Sequence, residues 1–390
     1  MCGLQGRLHR LISGDRNVSL SNYRGTAWHQ AGWARFICLL GRARWRALLA
    51  LVLATPTIGA AASYELGQGY ALPWLGLSAG GYVSVQASKL RNEQSKAALQ
   101  DLSLFLHSDP TPDWHFFTEI ELSNALILNS DGLTTTDADL DFERLYVDYS
   151  LSPRQTLRLG KFLTPVGRWN QIHADPLVWT VSRPLTTAAP FARNASGIQL
   201  YGSWPLELSA VDYHVFLDDS ALLDPTEGHE LTYMDVNVAP NPISSFDHGG
   251  GMRVQYRTMD DTFQAGLSAA RYRLKDLPRF KDMVGLDLFY TRNDFELSGE
   301  SVYRRDEGVG GAKEWGGFLQ VVAPIGRDFY AIAYHERYKA QLFSDVLNTT
   351  SLGITYRPMP PLSFKLEHRD SRGQEDLAPD GWLFSIAILL

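Results

Sequence analysis

From about residue 75 onward the chain alternates apolar and polar positions in short segments, joined by connectors that are alternately long and short. Sixteen segments can be marked, from Leu75–Ser88 to Trp382–Leu390. The odd connectors are Lys89–Ala98, Ser123–Asp139, Leu163–Ala195, Asp218–Phe246, Arg273–Asp282, Arg305–Ala312, Lys339–Leu347 and Asp370–Asp380, each of at least eight residues. The even ones are Ser108–Asp113, Ser152–Gln155, Ser203–Pro205, Thr258–Thr262, Arg292–Asp294, Pro324–Asp328 and Pro358–Pro361, none longer than six. Successive side chains of a strand point to opposite faces. In the last segment Trp382, Phe384, Ile386, Ile388 and Leu390 therefore share one bulky apolar face, opposite Gly381, Leu383, Ser385, Ala387 and Leu389. Leu145/Val147/Tyr149, Met252/Val254/Tyr256, Leu286/Leu288/Tyr290 and Leu352/Ile354/Tyr356 repeat the apolar face, and the opposite faces carry Arg144/Asp148, Arg253/Gln255/Arg257, Asp287/Thr291 and Ser351/Thr355/Arg357.

Tight turns at one rim and free loops at the other predict an all-β fold: a transmembrane antiparallel β-barrel of about 16 strands. In hydrocarbon every backbone polar group must be paired internally, and a sheet achieves that by closing on itself. Segments two, five and seven are weakly patterned, which leaves fourteen or eighteen strands as alternatives. A soluble β-sandwich also alternates, but it has no reason to place aromatics at strand ends. Here Tyr149, Trp204, Tyr256, Tyr290 and Tyr356 end descending segments, and Phe263, Phe295 and Tyr330 begin ascending ones, all read as lipid-facing. Trp315 and Trp382 mark the opposite rim. Such belts belong at the headgroup level of a bilayer.

The N-terminal region reads as processing sequence. Arg42, Arg44 and Arg46 form a basic stretch, Ala47–Ala54 an apolar one, and Ala60-Ala61-Ala62 a small-residue cleavage site before Ser63. Residues 1–41 are read as a leader or over-extended start, 42–62 as a signal peptide, and 63–390 as one barrel domain. Both cysteines, Cys2 and Cys38, fall in the removed part, so the mature chain has no disulfide framework, thiolate metal site or Cys nucleophile. Removing residues 1–62 takes away eight basic and one acidic residue and leaves 28 against 42, a net charge of −14. That balance argues against nucleic-acid binding.

The longest connector is Leu163–Ala195. Its prolines (Pro165, Pro176, Pro184, Pro190) disfavour a continuous helix or strand, while Ile172, Leu177, Val178 and Trp179 want burial. Long loops with apolar anchors of their own are commonly functional, and in a wide barrel this one can fold inward and narrow the lumen. The alternative is an external loop packed on its neighbours. The run Arg158-Leu-Gly-Lys-Phe-Leu-Thr-Pro-Val-Gly-Arg-Trp-Asn-Gln-Ile-His, after the Ser152-Pro-Arg turn, resembles the strand-and-loop signature of Gram-negative outer-membrane porins. It is most similar to the phosphate-selective porin O and P group and related porin-like barrels. The resemblance is specific over about residues 141–202 and departs from the usual pattern at the last residue, Leu390 in place of a terminal Phe. It implies an inward third loop acting as constriction, a homotrimer in outer-membrane lipid, insertion by the barrel-assembly machinery, and passive diffusion of small solutes or ions without a cofactor.

The constriction candidates are Lys161, Arg168, Trp169, His173, Asp175, Trp179, Arg183 and Arg193. Their positive excess suggests a preference for anions, because ion selectivity follows charge at the narrowest point; pairing of opposing lumen charges is the alternative. Trp169 and Trp179 could stack on sugars or anchor the loop. Lumen parity adds the basic residues Arg144, Arg158, Arg253, Arg257, Arg304, His335, Arg337, Lys365 and Arg369. It adds the acidic residues Glu119, Glu121, Asp148, Asp287, Glu296, Glu300 and Glu367. The small inward residues Gly76, Ser78, Gly80, Ser84, Gly266, Ser268, Ala270 and Gly316 suggest an open interior and argue against a non-conducting adhesin or structural barrel. An outer-membrane hydrolase built on His173, Asp175 and Ser182 or Ser196 lacks any nucleophile motif. The acidic run Asp218, Asp219, Asp224, Glu227, His229 and Glu230 reads as a solvated loop rather than a metal site.

Overall fold

The structure is a computed structural model that describes residues 64–136, 138–172, 174–223, 246–275, 279–308, 311–341, 344–373 and 377–390. The leader and signal peptide therefore lie outside the described residues. Sixteen long antiparallel strands form the wall. They are β1 (Leu77–Leu90), β2 (Lys96–Thr111), β3 (Trp114–Asn129), β4 (Asp139–Ser152), β5 (Gln155–Leu163), β6 (Asn194–Pro205), β7 (Ser209–Asp218) and β8 (Phe246–Thr258). Then follow β9 (Phe263–Leu274), β10 (Lys281–Arg292), β11 (Phe295–Asp306), β12 (Lys313–Gly326), β13 (Phe329–Lys339), β14 (Leu347–Met359), β15 (Leu362–Arg372) and β16 (Gly381–Leu389). Each strand pairs with its neighbours in sequence, and β16 pairs with β1 from Gly381↔Leu90 to Leu389↔Tyr82, which closes the barrel. Closure leaves no edge strand, as a sheet in lipid requires.

The seven turns hold two to four residues each, whereas the connectors at the other rim run from five residues upward. The alternation read in the sequence is present, but several outer connectors are shorter than expected. β2 begins at Lys96, so the first loop is five residues rather than Lys89–Ala98, and β3 runs on to Asn129, which shortens the second connector from Ser123–Asp139. Pairing extends a strand past the point where its hydrophobic alternation fades, because backbone groups near the rim still gain hydrogen bonds. In the β10–β11 turn Asn293 and Asp294 both take positive φ (52° and 62°), the mirror-image turn whose twist suits a two-residue hairpin. A small hairpin not read from the sequence, Tyr64–Glu65 with Gly69–Leu72, pairs with the turn-side end of β1 where β16 stops.

Outside, Leu267, Leu286, Leu319 and Leu352 are all more than half exposed, while inside, Thr355, Ser385 and Ala387 have no accessible surface. An exposed continuous aliphatic face with a buried polar interior is the inverse of a water-soluble domain and fits a spanning barrel. Ring pairs sit at the turn-side rim of the outer face: Trp114 tilted against Tyr149 (4.7 Å between centroids) and Phe329 stacked on Tyr356 (4.4 Å).

One strand corrects the sequence reading. On β13, Phe329, His335 and Arg337 are on the exposed face, while Tyr330, Ile332, Tyr334, Glu336 and Tyr338 point inward. His335 and Arg337 are thus not lumen residues, and Phe329 rather than Tyr330 stands in the aromatic belt. The physical reason is that β13 lies behind the third loop. Its inner face meets protein, so bulky rings are buried there and the rule that apolar means lipid-facing fails locally.

Candidate functional site

The third long connector, residues 164–193, follows β5 and returns into β6. Its ends are clamped together: the Thr164 amide donates to the Arg193 carbonyl (2.8 Å) and the Thr164 hydroxyl to the Ala192 carbonyl (2.7 Å). Between those points it makes one short 3-10 turn, Trp169–Gln171, and one helical turn, Leu185–Ala188. Phe162, Val166, Leu185, Phe191 and Ala192 pack into an apolar core with Phe216, Tyr272, Val302 and Tyr338 of the wall. Trp169 and Val178 pack with Phe318 and Tyr334. These wall residues all carry inward parity, so the loop lies on the inner face of the sheet.

The loop's backbone amides are held by three wall glutamates on alternate strands. Glu300 of β11 accepts from the amides of Arg168 (2.9 Å) and Trp169 (2.5 Å). Glu367 of β15 accepts from the amides of Val181 (2.8 Å) and Ser182 (3.1 Å) and from the Ser182 hydroxyl (2.5 Å). Glu336 of β13 accepts from the amides of Leu185 (3.1 Å) and Thr186 (2.8 Å) and from the Thr186 hydroxyl (2.7 Å). Irregular backbone has orphan donors that must be satisfied when buried, and a carboxylate with two acceptor oxygens can take several at once. Two glycines make room for this seat. Gly167 has φ of 64°, and a Cβ there would run into the Glu300 carboxylate. A Cβ on Gly316 would lie 2.6 Å from the Thr186 hydroxyl and 2.7 Å from the Tyr338 ring. Gly316, read from the sequence as opening the lumen, instead admits the loop.

Most of the sequence candidates meet partners. Lys161 pairs with Asp141 (2.9 Å) and Arg193 with Glu143 (2.8 Å). Asp175 receives Lys365 Nζ (2.6 Å) and the Ser385 hydroxyl (2.6 Å). Trp179 donates its indole N–H to Glu296 (2.9 Å), packs on Tyr330 (4.9 Å) and lies beneath the Arg357 guanidinium (3.7 Å). Arg357 Nη2 in turn donates to the Val178 carbonyl at 3.2 Å. Trp169 is buried with Arg183 over its ring at 4.9 Å. Both tryptophans have the geometry of anchors and not of open stacking platforms. Arg183 donates to the Asn170 side chain (2.8 Å) and the Thr187 carbonyl (3.3 Å). Arg168 stacks on Phe289 at 3.7 Å, and burial lowers its pKa from the ordinary guanidinium value against the opposing pull of Glu296 and Glu300. Arg168, Trp179, Glu296 and Gln320 line a cavity between loop and wall; Arg183, Arg193, Asp175, Gln86 and Asp101 line another toward β1 and β2. His173 and the run from Asp224 to Glu230 lie outside the described residues. Ser182 is bonded to Glu367, and the Ser196 amide donates to Asp218 (2.7 Å).

Of the other lumen candidates, Arg304 on β11 pairs with Glu314, Arg369 on β15 donates to the Pro379 carbonyl (2.9 and 2.7 Å), and several more form pairs along the wall from β1 to β10. Arg144 meets Glu119 (2.5 Å), Arg158 is bidentate to Asp148 (2.7 and 2.8 Å), and Arg253 meets Asp287 (2.6 Å). Arg257 meets Asp212 at 2.8 Å, and Glu121 accepts from the Tyr82 hydroxyl at 2.6 Å. Sequence reasoning missed Glu336, because the face of β13 was reversed, and Glu143, because a register shift opposite Glu119/Ile120 leaves it unpaired in β4. The inward tyrosines at 330, 334 and 338 were the available signal for β13: a period of four on one parity.

No protein-family profile matches the chain. An uncharacterised protein of Aquifex aeolicus (strain VF5) is 32% identical over 135 residues, 34% of this chain and 30% of that protein's length. Among solved structures the chain is similar to the anion-selective porin from Comamonas acidovorans, with a TM-score of 0.53 and 14% identity over 80% of this chain and 98% of that one. It is similar also to the outer membrane channel DcaP of Acinetobacter baumannii (0.52, 11%, 80% and 97%). A third is OmpT of Vibrio cholerae, folded in vitro and described in a trimer form (0.52, 8%, 80% and 99%). At such identities the likeness establishes the fold: this chain has the sixteen-stranded barrel architecture of porins.

Proposed function

We propose that this chain is a porin of a Gram-negative outer membrane, and that it gives small hydrophilic solutes and ions a passive route through the barrel. The observation that carries the reading is the third loop. A sixteen-stranded barrel is too wide for its own wall side chains to fill, and residues 164–193 are tied across part of that space by three wall carboxylates. The loop is the constriction. Tight turns face the periplasm and the long loops face outward. Export follows cleavage near Ala62, lipid surrounds the wall, the barrel-assembly machinery inserts it, and three copies associate, as the Vibrio cholerae relative does in its trimer form. Within this reading, the strand-and-loop stretch is taken to resemble the porin O and P group.

For charge, the pairing of Lys161 with Asp141, Arg193 with Glu143 and Lys365 with Asp175 supports weak selectivity. A modest anion preference rests on the excess of basic residues in this stretch, Lys161, Arg168, Arg183 and Arg193 against Asp175. The test is the reversal potential of the refolded chain from Ser63 in a planar bilayer under a tenfold KCl gradient. Discrete conductance with a small shift toward the chloride potential is expected. A potential near that of potassium rejects the anion preference, and the absence of channels rejects the porin reading in favour of a structural barrel.

A further inference from the structure

The cavity between the third loop and the first two strands is built around an irregularity of β2. Pairing runs Val85↔Leu99 and then Ser84↔Asp101, so Gln100 is an extra residue with no partner on β1. A bulge of this kind re-aims side chains. Gln100 and Asp101, consecutive in sequence, both line the cavity, together with Gln86 of β1. Their polar groups are incompletely used. Gln100 has 6% of its surface exposed, and its carboxamide oxygen is buried with no donor among the described residues. The Gln86 carboxamide also has no hydrogen-bond partner among the described residues. Asp101 accepts from the Ser84 hydroxyl (2.7 Å) and has no ion-pair partner among the described residues. Carboxylates on the adjoining wall do have cations, Glu119 meeting Arg144 and Asp148 meeting Arg158. A shielded acceptor without a donor, and a carboxylate without a cation, each cost free energy that a solute of the right chemistry would recover.

The loop brings the opposite sign to the same cavity through Arg183 and Arg193, while its Asp175 is held by Lys365 and Ser385. A bare cation entering there meets the guanidinium charges, and a bare anion meets the carboxylates of Asp101 and Asp175. A solute carrying both charges a few bonds apart meets each with its complement. An ammonium group brings three donors, enough for Asp101 and a carboxamide oxygen together. A carboxylate brings acceptors, which carboxamide N–H groups and guanidinium charge answer. A half-turn about the last side-chain bond exchanges the oxygen and nitrogen of a glutamine, so Gln86 and Gln100 suit either end of such a solute. We infer that the cavity beside the β2 bulge binds small zwitterions of the α-amino-acid type, with the ammonium on Asp101 and Gln100 and the carboxylate toward Arg183 and Arg193. Such a site rests on the channel reading and names a solute class for it.

Calorimetric titration of the detergent-solubilised full chain with L-alanine, propionate and ethylammonium tests this independently of conduction, because the three are alike in size and differ in charge. Saturable binding of L-alanine is expected, with propionate and ethylammonium each at least tenfold weaker. Asp101→Asn and Gln100→Leu should each weaken L-alanine binding at least fivefold, and Leu319→Ala, on the outer face, should leave it unchanged. No L-alanine binding by the unsubstituted chain overturns the inference even if channels conduct. Propionate or ethylammonium binding as tightly as L-alanine overturns the zwitterion assignment, and this comparison holds even where a variant fails to fold. Undiminished L-alanine binding in both Asp101→Asn and Gln100→Leu overturns the placement at the bulge. Loss of channels with binding intact rejects the porin reading alone.

Discussion

Glu367→Ala probes the seat of the third loop directly. The carboxylate has 2% of its surface exposed and accepts three hydrogen bonds, from the amides of Val181 and Ser182 and from the Ser182 hydroxyl. Hydrogen bonds to a charged acceptor contribute roughly 1.5–3 kcal/mol each, so three lost bonds set an upper range of about 5–9 kcal/mol. Two effects offset most of this: removing the buried carboxylate relieves its desolvation, and water from the lumen reaches the freed donors. A net cost to loop seating of about 2–3 kcal/mol remains, which is roughly a 30- to 150-fold change in the ratio of seated to released loop. Amide hydrogen exchange measured by mass spectrometry reads this at the donors themselves. The peptide containing Val181 and Ser182 should exchange faster by about that factor, while β2, β8 and β12 exchange as before. Glu367→Gln keeps an acceptor oxygen and should shift exchange by roughly fivefold, about 1 kcal/mol. Unchanged exchange at 181–182 in Glu367→Ala would refute the idea that the wall carboxylates hold the loop. An increase spread evenly over all strands would show that Glu367 supports the barrel instead.

Three further outcomes follow from the same geometry. Gly316→Val places side-chain atoms against the Thr186 hydroxyl and the Tyr338 ring; overpacking of this kind costs about 1–3 kcal/mol and should raise single-channel current noise, whereas quiet channels would contradict it. Tyr330→Ala removes the Trp179 contact and should increase conductance with little change in thermal stability, while Phe329→Ala should lower stability in lipid by about 1 kcal/mol through loss of its stack on Tyr356; the reverse pattern would restore the original reading of β13. Intact-mass analysis of the protein recovered from outer membranes should give a chain beginning at Ser63, and a retained residue 1–62 segment would reject the signal assignment.

How much of this was legible beforehand varied along the chain. The wall was largely legible, because period-2 alternation and turn chemistry are local: the Asn293-Asp294 turn, the apolar face of Trp382 to Leu390 and the length contrast of the connectors all carry their meaning in a few adjacent residues. The strand ends were less so, since pairing at the rims continues past the hydrophobic pattern, as at Lys96 and Asn129. The third loop was found by its length and by the resemblance of its flanking residues, yet what binds it was not. Glu300, Glu336 and Glu367 lie more than 100 residues away from the amides they hold, and nothing local marks a carboxylate as an acceptor for irregular backbone. The same long-range packing reversed β13. A protein-covered inner face obeys core rules, so Tyr334 and Tyr338 go inward and His335 and Arg337 outward. The charges proposed for the constriction were read without their partners, because Asp141 and Glu143 come from the neighbouring strand β4.

The central claim is that residues 164–193 narrow a conducting barrel. Single-channel conductance of the refolded chain from Ser63, compared with the same chain carrying a short Gly-Ser link in place of residues 165–192, tests it most directly. The predicted result is stable channels in both, with the shortened chain conducting at least twice as much and losing its charge preference. Equal conductance in the two would contradict the constriction, and no conductance in either would contradict the channel.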